Sequence, residues 1–416
     1  MMTQSKSAKS RCPVCHTTGA EEFIAIENVP VFCNVLWDSR NEALAATKGE
    51  ICLHFCTNCG HVFNRDFDPG RVEYTSKYEN SLQYSSVFRT YLIELAERLV
   101  QCYHLHNKEV IEIGCGQGDF LHLLFEKGGN RCTGFDPSYD EQRASHAGIG
   151  NHFDIIRDYY SDKYSEYRAD FIACRQVLEH IAEPRKFMAS IRHSIGHNDA
   201  AVVFFEVPNA MFTLESFGIW DLIYEHCSYY TKPSLRRLFN ASGFRPVSVA
   251  ESFGGQYLCL EARPLSGSSE LELTQSLTSI GEVAGFVHGF AEIYSRTVTY
   301  WRKSLQKMRQ QGIRPVVWGA GSKGVSFLNV LGTSGVIDYV VDINPHKQGC
   351  YIPGTGQQVV SPNALADIKP QVVIAMNPLY TDEIEKMIGE RNLGENENLV
   401  VIPVDDIDPE NTVVPC

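Results

Sequence analysis

Apolar and polar positions change rhythm along the chain, and the changes mark its parts. Between residues 71 and 265, short apolar runs alternate with amphipathic stretches. EVIEIGC (109–115), RCTGFDP (131–137), ADFIACR (169–175) and AVVFFEV (201–207) read as buried strands. GDFLHLLFEKG after the first run, and the stretch around Pro184–Ile195 after the third, read as helices. That alternation predicts a parallel sheet covered on both faces. After a break at PLSGSSE the spacing turns helical. Leu271, Leu273, Leu277, Ile280, Phe286, Phe290 and Ile293 fall near one stripe, so residues 266–310 read as a helical linker. Residues 311–416 restart a strand–turn–helix pattern. Residues 11–70 are loop-rich, and 1–10 read as a polar, disordered tail. No repeat of 20–50 residues and no low-complexity segment interrupts this order.

Composition narrows the function. At 416 residues, two or three domains are expected. Thirty-seven basic against 50 acidic residues leave a formal charge of −13 and no basic run. Such a surface disfavours nucleic acid and anionic membranes as partners. No apolar run is long enough to span a bilayer, and the start MMTQSKSAKSR has no signal-peptide core. A cytoplasmic protein is therefore expected, whose 14 cysteines serve as thiols or metal ligands rather than disulfides.

The cysteines carry the first specific signal. Cys12-Pro-Val-Cys15 and Cys56-Thr-Asn-Cys59 are two CxxC pairs, each able to present both sulfurs to one ion. Together they predict a four-thiolate structural zinc site, which staples a segment too small to build a core. Four sulfur ligands leave no open position, so no catalysis by that metal is expected. Cys33, Cys52, His54 and His61 are read as bystanders.

A second signal follows the first strand. Glu112-Ile-Gly114-Cys115-Gly116-Gln-Gly118 opens a helix, where glycines let the backbone approach a ligand. The next strand ends at Asp136-Pro137, where an acid can take the hydroxyls of a ribose. The third glycine comes too early for a usual dinucleotide loop. The ExGxGxG form resembles the class I methyltransferases that use S-adenosylmethionine. The resemblance implies Glu112, Gly114, Cys115, Gly116 and Gly118 around the methionine portion, and Asp136 with Pro137 at the ribose. By position, Asp158 and Tyr159 belong beside the adenine, and Arg175 and Gln176 face the methyl donor.

Ligands of such sheets sit beyond the carboxyl ends of the strands. Two histidines leave strands on that rim: His180 in VLEHI, and His226 in Tyr224-Glu225-His226. A histidine suits proton removal at neutral pH, and an acceptor of an electrophilic methyl must first lose a proton. Tyr224 is expected to stabilise an enolate and Glu225 to support a histidine. His180 can equally be a structural histidine.

The order of parts is similar to the sugar C-methyltransferases of antibiotic pathways. The marks are the two CxxC pairs, IEIGCGQGDF, LEHI, YEHCSYYT and VVWGAGSKG. The resemblance implies an N-terminal zinc-ribbon-like module, a methyltransferase domain over 71–265 and a second Rossmann-like domain over 311–416. It implies His226 as the base that removes the proton α to a ketone, Glu225 as its partner, and His180 lining the site. A tyrosine from KYENSLQYSS, Tyr78 or Tyr84, is implied at the substrate. That family shows an extra residue between the aromatic position and Glu-His; here Tyr224 precedes Glu225 directly.

The last domain carries GxGxxG in Val316-Val-Trp-Gly319-Ala-Gly321-Ser-Lys323-Gly324, with Asp342 ending the next strand. Alone this reads as a dinucleotide site and raises a fused dehydrogenase. The resemblance instead implies a holder of the substrate's nucleotide, with Gly319, Gly321, Lys323 and Asn377 lining it. The expected protein is an S-adenosylmethionine-dependent methyltransferase of a small molecule, monomer or homodimer, most suited to carbon methylation of a nucleotide-linked sugar. O- or N-methylation of another metabolite, and a non-catalytic carrier, stay open.

Overall fold

The computed structural model describes residues 10–143, 152–215, 218–265, 277–333, 335–391 and 399–406. Most of the expected tail, and Leu271 and Leu273 of the helical stripe, lie outside them.

The apolar runs of 71–265 become a seven-stranded sheet. Numbered by chain order within the sheet, its strands run 3-2-1-4-5-7-6. Glu109–Ile113, Arg131–Phe135, Phe153–Ile156, Phe171–Arg175 and Val202–Pro208 pair in parallel. Tyr257–Pro264 then pairs antiparallel with Val202–Pro208, and Phe244–Ser252 with Tyr257–Pro264. The central strands are buried along almost their whole length, as a sheet covered on both faces requires. The helix Asp119–Gly128 starts and stops at Gly118 and Gly129, both left-handed. The helix at Pro184–Ile195 has the bounds read from the sequence.

Residues 315–403 form a five-stranded parallel sheet in the order 3-2-1-4-5. It is a second doubly wound unit with its own glycine loop before the helix Ser322–Leu331.

The N-terminal sheet is not self-contained. Glu21–Pro30, Lys48–Phe55 and Val62–Asn64 are joined by a fourth strand, Ser228–Tyr229, from far along the chain. The Asn64 N–H also donates to the Cys227 carbonyl at 3.0 Å. Residues 224–229 are thus stitched onto the N-terminal module. Gly49 permits the close fit: a Cβ there would lie 2.4 Å from the Tyr224 ring.

The helix Leu277–Gln310 spans 34 residues and is more than a linker. Ile280, Val283, Val287 and Phe290 are buried, and Phe23 of the N-terminal sheet meets Phe290 edge-on at 6.0 Å. Trp301 packs on Phe327 at 5.1 Å and donates to the Val404 carbonyl. This helix fills the space between the N-terminal and last sheets. Phe286, counted in the stripe, is 38% exposed and lies outside the core face.

Candidate active site

Two cavities meet beyond the carboxyl ends of the seven-stranded sheet. Tyr78, Gln176, His180 and Tyr257 are among the residues that line both.

The first cavity holds the sequence-predicted cofactor residues. Glu112, Gly114, Cys115, Gly116, Asp136, Pro137, Asp158, Tyr159, Arg175 and Gln176 line it. Gly118 does not; it caps the helix instead. Gly114 has φ +71°, and a Cβ on it would strike Val177 at 2.1 Å. Gly116 has φ +56° and open space where a Cβ would stand, so the backbone is bare to a ligand. Its N–H donates to Asp136 Oδ2 at 2.8 Å, while Ser138 N–H and Oγ–H donate to Oδ1. Asp136 therefore sets the loop as well as facing the cavity. Burial raises the Glu112 carboxyl to about 8, against the pull of Arg175. Arg175 and Gln176 both donate to Glu206, which is fully buried. Gln176 sits at φ +54°, a conformation held where the cavities join.

The second cavity runs from the histidines to the last domain's glycine loop. Glu179, His180 and His226 stand at one end, Gly319, Gly321, Lys323 and Asn377 at the other. The ring centres of His180 and His226 are 4.9 Å apart. Burial lowers His180 to about 4. It lowers His226 well below its ordinary value, with His180's charge adding to the effect. Both are neutral imidazoles at neutral pH. His180 Nδ1 lies 3.0 Å from the Glu225 carbonyl and 2.8 Å from the Tyr74 hydroxyl. A carbonyl only accepts, so the proton is on Nδ1 and Nε2 keeps its lone pair.

Three expectations are corrected. Tyr224 is not at the cavity. It is 1% exposed, and its hydroxyl accepts from the Asp68 N–H at 2.9 Å, in the core under the N-terminal sheet. Glu225 is not the carboxylate beside His226. Its Oε2 accepts from the Cys33 N–H at 2.8 Å, and its charge faces Tyr78 and Lys347. Burial lifts it to about 7. The acid near the histidines is Glu179, 1% exposed, with Oε1 3.9 Å from His180 Nε2 and Oε2 without a partner. Lys323 is not a free cation for phosphate: it pairs with Asp221 at 3.1 Å.

Of the two candidate tyrosines, Tyr78 lies against Asn34 and Glu225, and Tyr84 lines the second cavity with its ring edge-on to His346. Asn377 forms a reciprocal amide pair with Gln256. The sequence reading missed Tyr74, Glu179 and Lys347. Lys347 Nζ is buried in this cavity, donating to the Ala320 carbonyl and Asn34. The last domain repeats the wiring of the first loop: Asp342 accepts from the Ala320 and Asn344 N–H groups, both at 2.8 Å.

Away from the cavities, Cys12, Cys15, Cys56 and Cys59 converge. Cys12 Sγ is 3.7 Å from Cys59 Sγ, and Cys15 Sγ is 3.5 Å from Cys56 Sγ. These gaps are too long for disulfides and close to the ~3.8 Å that four sulfurs ~2.3 Å from one ion require. The cluster can hold a metal ion. Among the described residues every cysteine is a free thiol, and no helix is long and apolar enough to cross a membrane.

Residues 86–249 match the model of a methyltransferase domain, and residues 270–404 that of a C-methyltransferase C-terminal domain. The C-methyltransferase NovU of Streptomyces niveus is 24% identical over 426 aligned positions, covering 97% of this chain and 96% of that one. Among solved structures, a 1,6-didemethyltoxoflavin-N1-methyltransferase of Burkholderia thailandensis aligns at 18% identity and TM-score 0.35, over 50% of this chain and 96% of that one. The magnesium protoporphyrin IX methyltransferase of Synechocystis PCC 6803 aligns at 16% and 0.33, over 43% and 84%. The seven-stranded sheet is a class I methyltransferase fold, and the chain is an S-adenosylmethionine-dependent methyltransferase similar along almost its whole length to a C-methyltransferase.

Proposed function

We propose that the protein methylates a carbon α to a ketone in a nucleotide-linked sugar, with His226 as the base. The observation that carries this is the junction of the two cavities at His180 and Gln176, with His226 just inside the second. A molecule in the second cavity meets the methyl donor where the two cavities join, beside His180 and Gln176.

Asp136, Glu112 and the Gly114–Gly116 loop hold S-adenosylmethionine in this reading. When bound, it supplies an electrophilic methyl for the acceptor carbon. His226 takes the α-proton, and the electron pair of the broken C–H bond moves onto the ketone oxygen. In this reading Tyr78, which pairs with the Glu225 carboxylate and lines both cavities, stands beside that oxygen, and the Glu225 carbonyl fixes the His180 tautomer. The glycine loop at Gly319–Gly321, with Lys347 and Asn377, takes the nucleotide. Cys12, Cys15, Cys56 and Cys59 hold a structural zinc ion.

Calorimetric titration of TDP, UDP, GDP, CDP and NAD into protein saturated with S-adenosylhomocysteine tests the acceptor class. One nucleoside diphosphate is expected to bind selectively. Binding of NAD alone overturns the reading in favour of a dehydrogenase, and no binding at all removes the nucleotide handle.

A further inference from the structure

The Glu179–His180–His226 cluster has more in common with a metal site than proton transfer requires. Its three donor atoms lie within 4.8 Å of one another, on two loops facing the second cavity. Glu179 Oε2 is buried with no hydrogen-bond partner, a costly state for a carboxyl oxygen. Oε1 has His180 Nε2 beside it at 3.9 Å, too far for a hydrogen bond. The Nδ1–H of His180 is tied to the Glu225 carbonyl, the outer arrangement that fixes the tautomer of a metal-bound histidine. The same bond leaves Nε2, 3.9 Å from Glu179 Oε1, with its lone pair. Two imidazoles and one carboxylate with an open side suit a divalent transition ion rather than Mg²⁺ or Ca²⁺.

By contrast, the group Glu22, Cys52 and His54 is not such a site. Glu22 is exposed, and His54 Nδ1 is engaged with the Cys52 carbonyl.

We propose that Glu179, His180 and His226 form a second metal site, for one divalent transition-metal ion, separate from the four-cysteine cluster. Ligand atoms ~2.0–2.2 Å from an ion sit roughly 3–3.5 Å apart, so the two loops close by about an ångström on binding. An ion there occupies the lone pair of His226 and blocks proton removal. This consequence rests on the base reading above; the binding itself does not.

The probe is Co²⁺, added to the full chain with its four-cysteine site already filled with zinc. Expected are one further equivalent by equilibrium dialysis and weak visible bands of a nitrogen–oxygen site, without intense sulfur-to-cobalt absorption. Glu179→Gln keeps the shape and is expected to weaken this equivalent at least about 100-fold. His226→Gln, read independently should Glu179→Gln fail to fold, is expected to do the same. No cobalt bound beyond the zinc in the unaltered protein overturns the proposal, as does a further equivalent indifferent to either substitution. The base reading fails separately, through the turnover of a His226 variant without added metal.

Discussion

Alanine at position 226 lowers kcat by about 10²–10⁴-fold, the usual contribution of a positioned base, while S-adenosylhomocysteine binds as before. The separation follows from the geometry. His226 lines the second cavity and not the first, whose loop is set by Gly114, Gly116 and Asp136. Removing the ring takes away an imidazole that burial keeps unprotonated at neutral pH. It leaves the Asp136 bonds to Gly116 and Ser138 in place. Steady-state turnover paired with calorimetric binding makes the check. Turnover near that of the unaltered protein contradicts the assignment of the base.

Serine at Cys56 is expected to cost as much by a different route. A structural zinc site supplies folding free energy on the order of 10 kcal/mol, and the segment around it has little core of its own. Its sheet takes Ser228–Tyr229 as fourth strand, and the Cys33 N–H holds Glu225. Losing a metal held there is therefore expected to loosen the loop that carries Glu225 and His226, although the cysteines lie outside both cavities. The expected result is one fewer zinc ion per chain, rapid proteolysis within residues 10–70 and turnover reduced at least about 100-fold. An intact module with full activity and no zinc contradicts the structural role.

Local signals were legible because local chemistry makes them. The strand–glycine–helix passage at Glu112–Gly118 needs only neighbours in sequence, and Asp136 lies where the adjacent strand ends. The CxxC pairs likewise carry their geometry in their spacing. What failed depends on partners far away. Tyr224, Glu225 and His226 are consecutive and were read as one catalytic group. The chain turns them in three directions, toward Asp68, Cys33 and the cavity, because Ser228–Tyr229 is captured by the N-terminal sheet. No periodicity predicts a two-residue strand paired across some 165 positions. Glu179 was overlooked because VLEHI reads as an apolar turn, and only the fold brings its carboxyl to His180 and His226. Lys323 has the loop position of a phosphate ligand, but Asp221, a hundred residues earlier, pairs with it.

The most direct test of carbon methylation follows the two atoms that move. The acceptor is a keto sugar carried by the nucleotide that binds selectively, and the donor is S-adenosylmethionine with a ¹³C-labelled methyl. Nuclear magnetic resonance then locates the labelled methyl. A parallel sample in D₂O, with S-adenosylhomocysteine replacing the donor, reports exchange of the α-proton. The account predicts a methyl bound to carbon beside the ketone, and deuterium entering that position in the unaltered protein but not in His226→Ala. A methyl found on oxygen or nitrogen, or α-deuterium entering equally without His226, contradicts it.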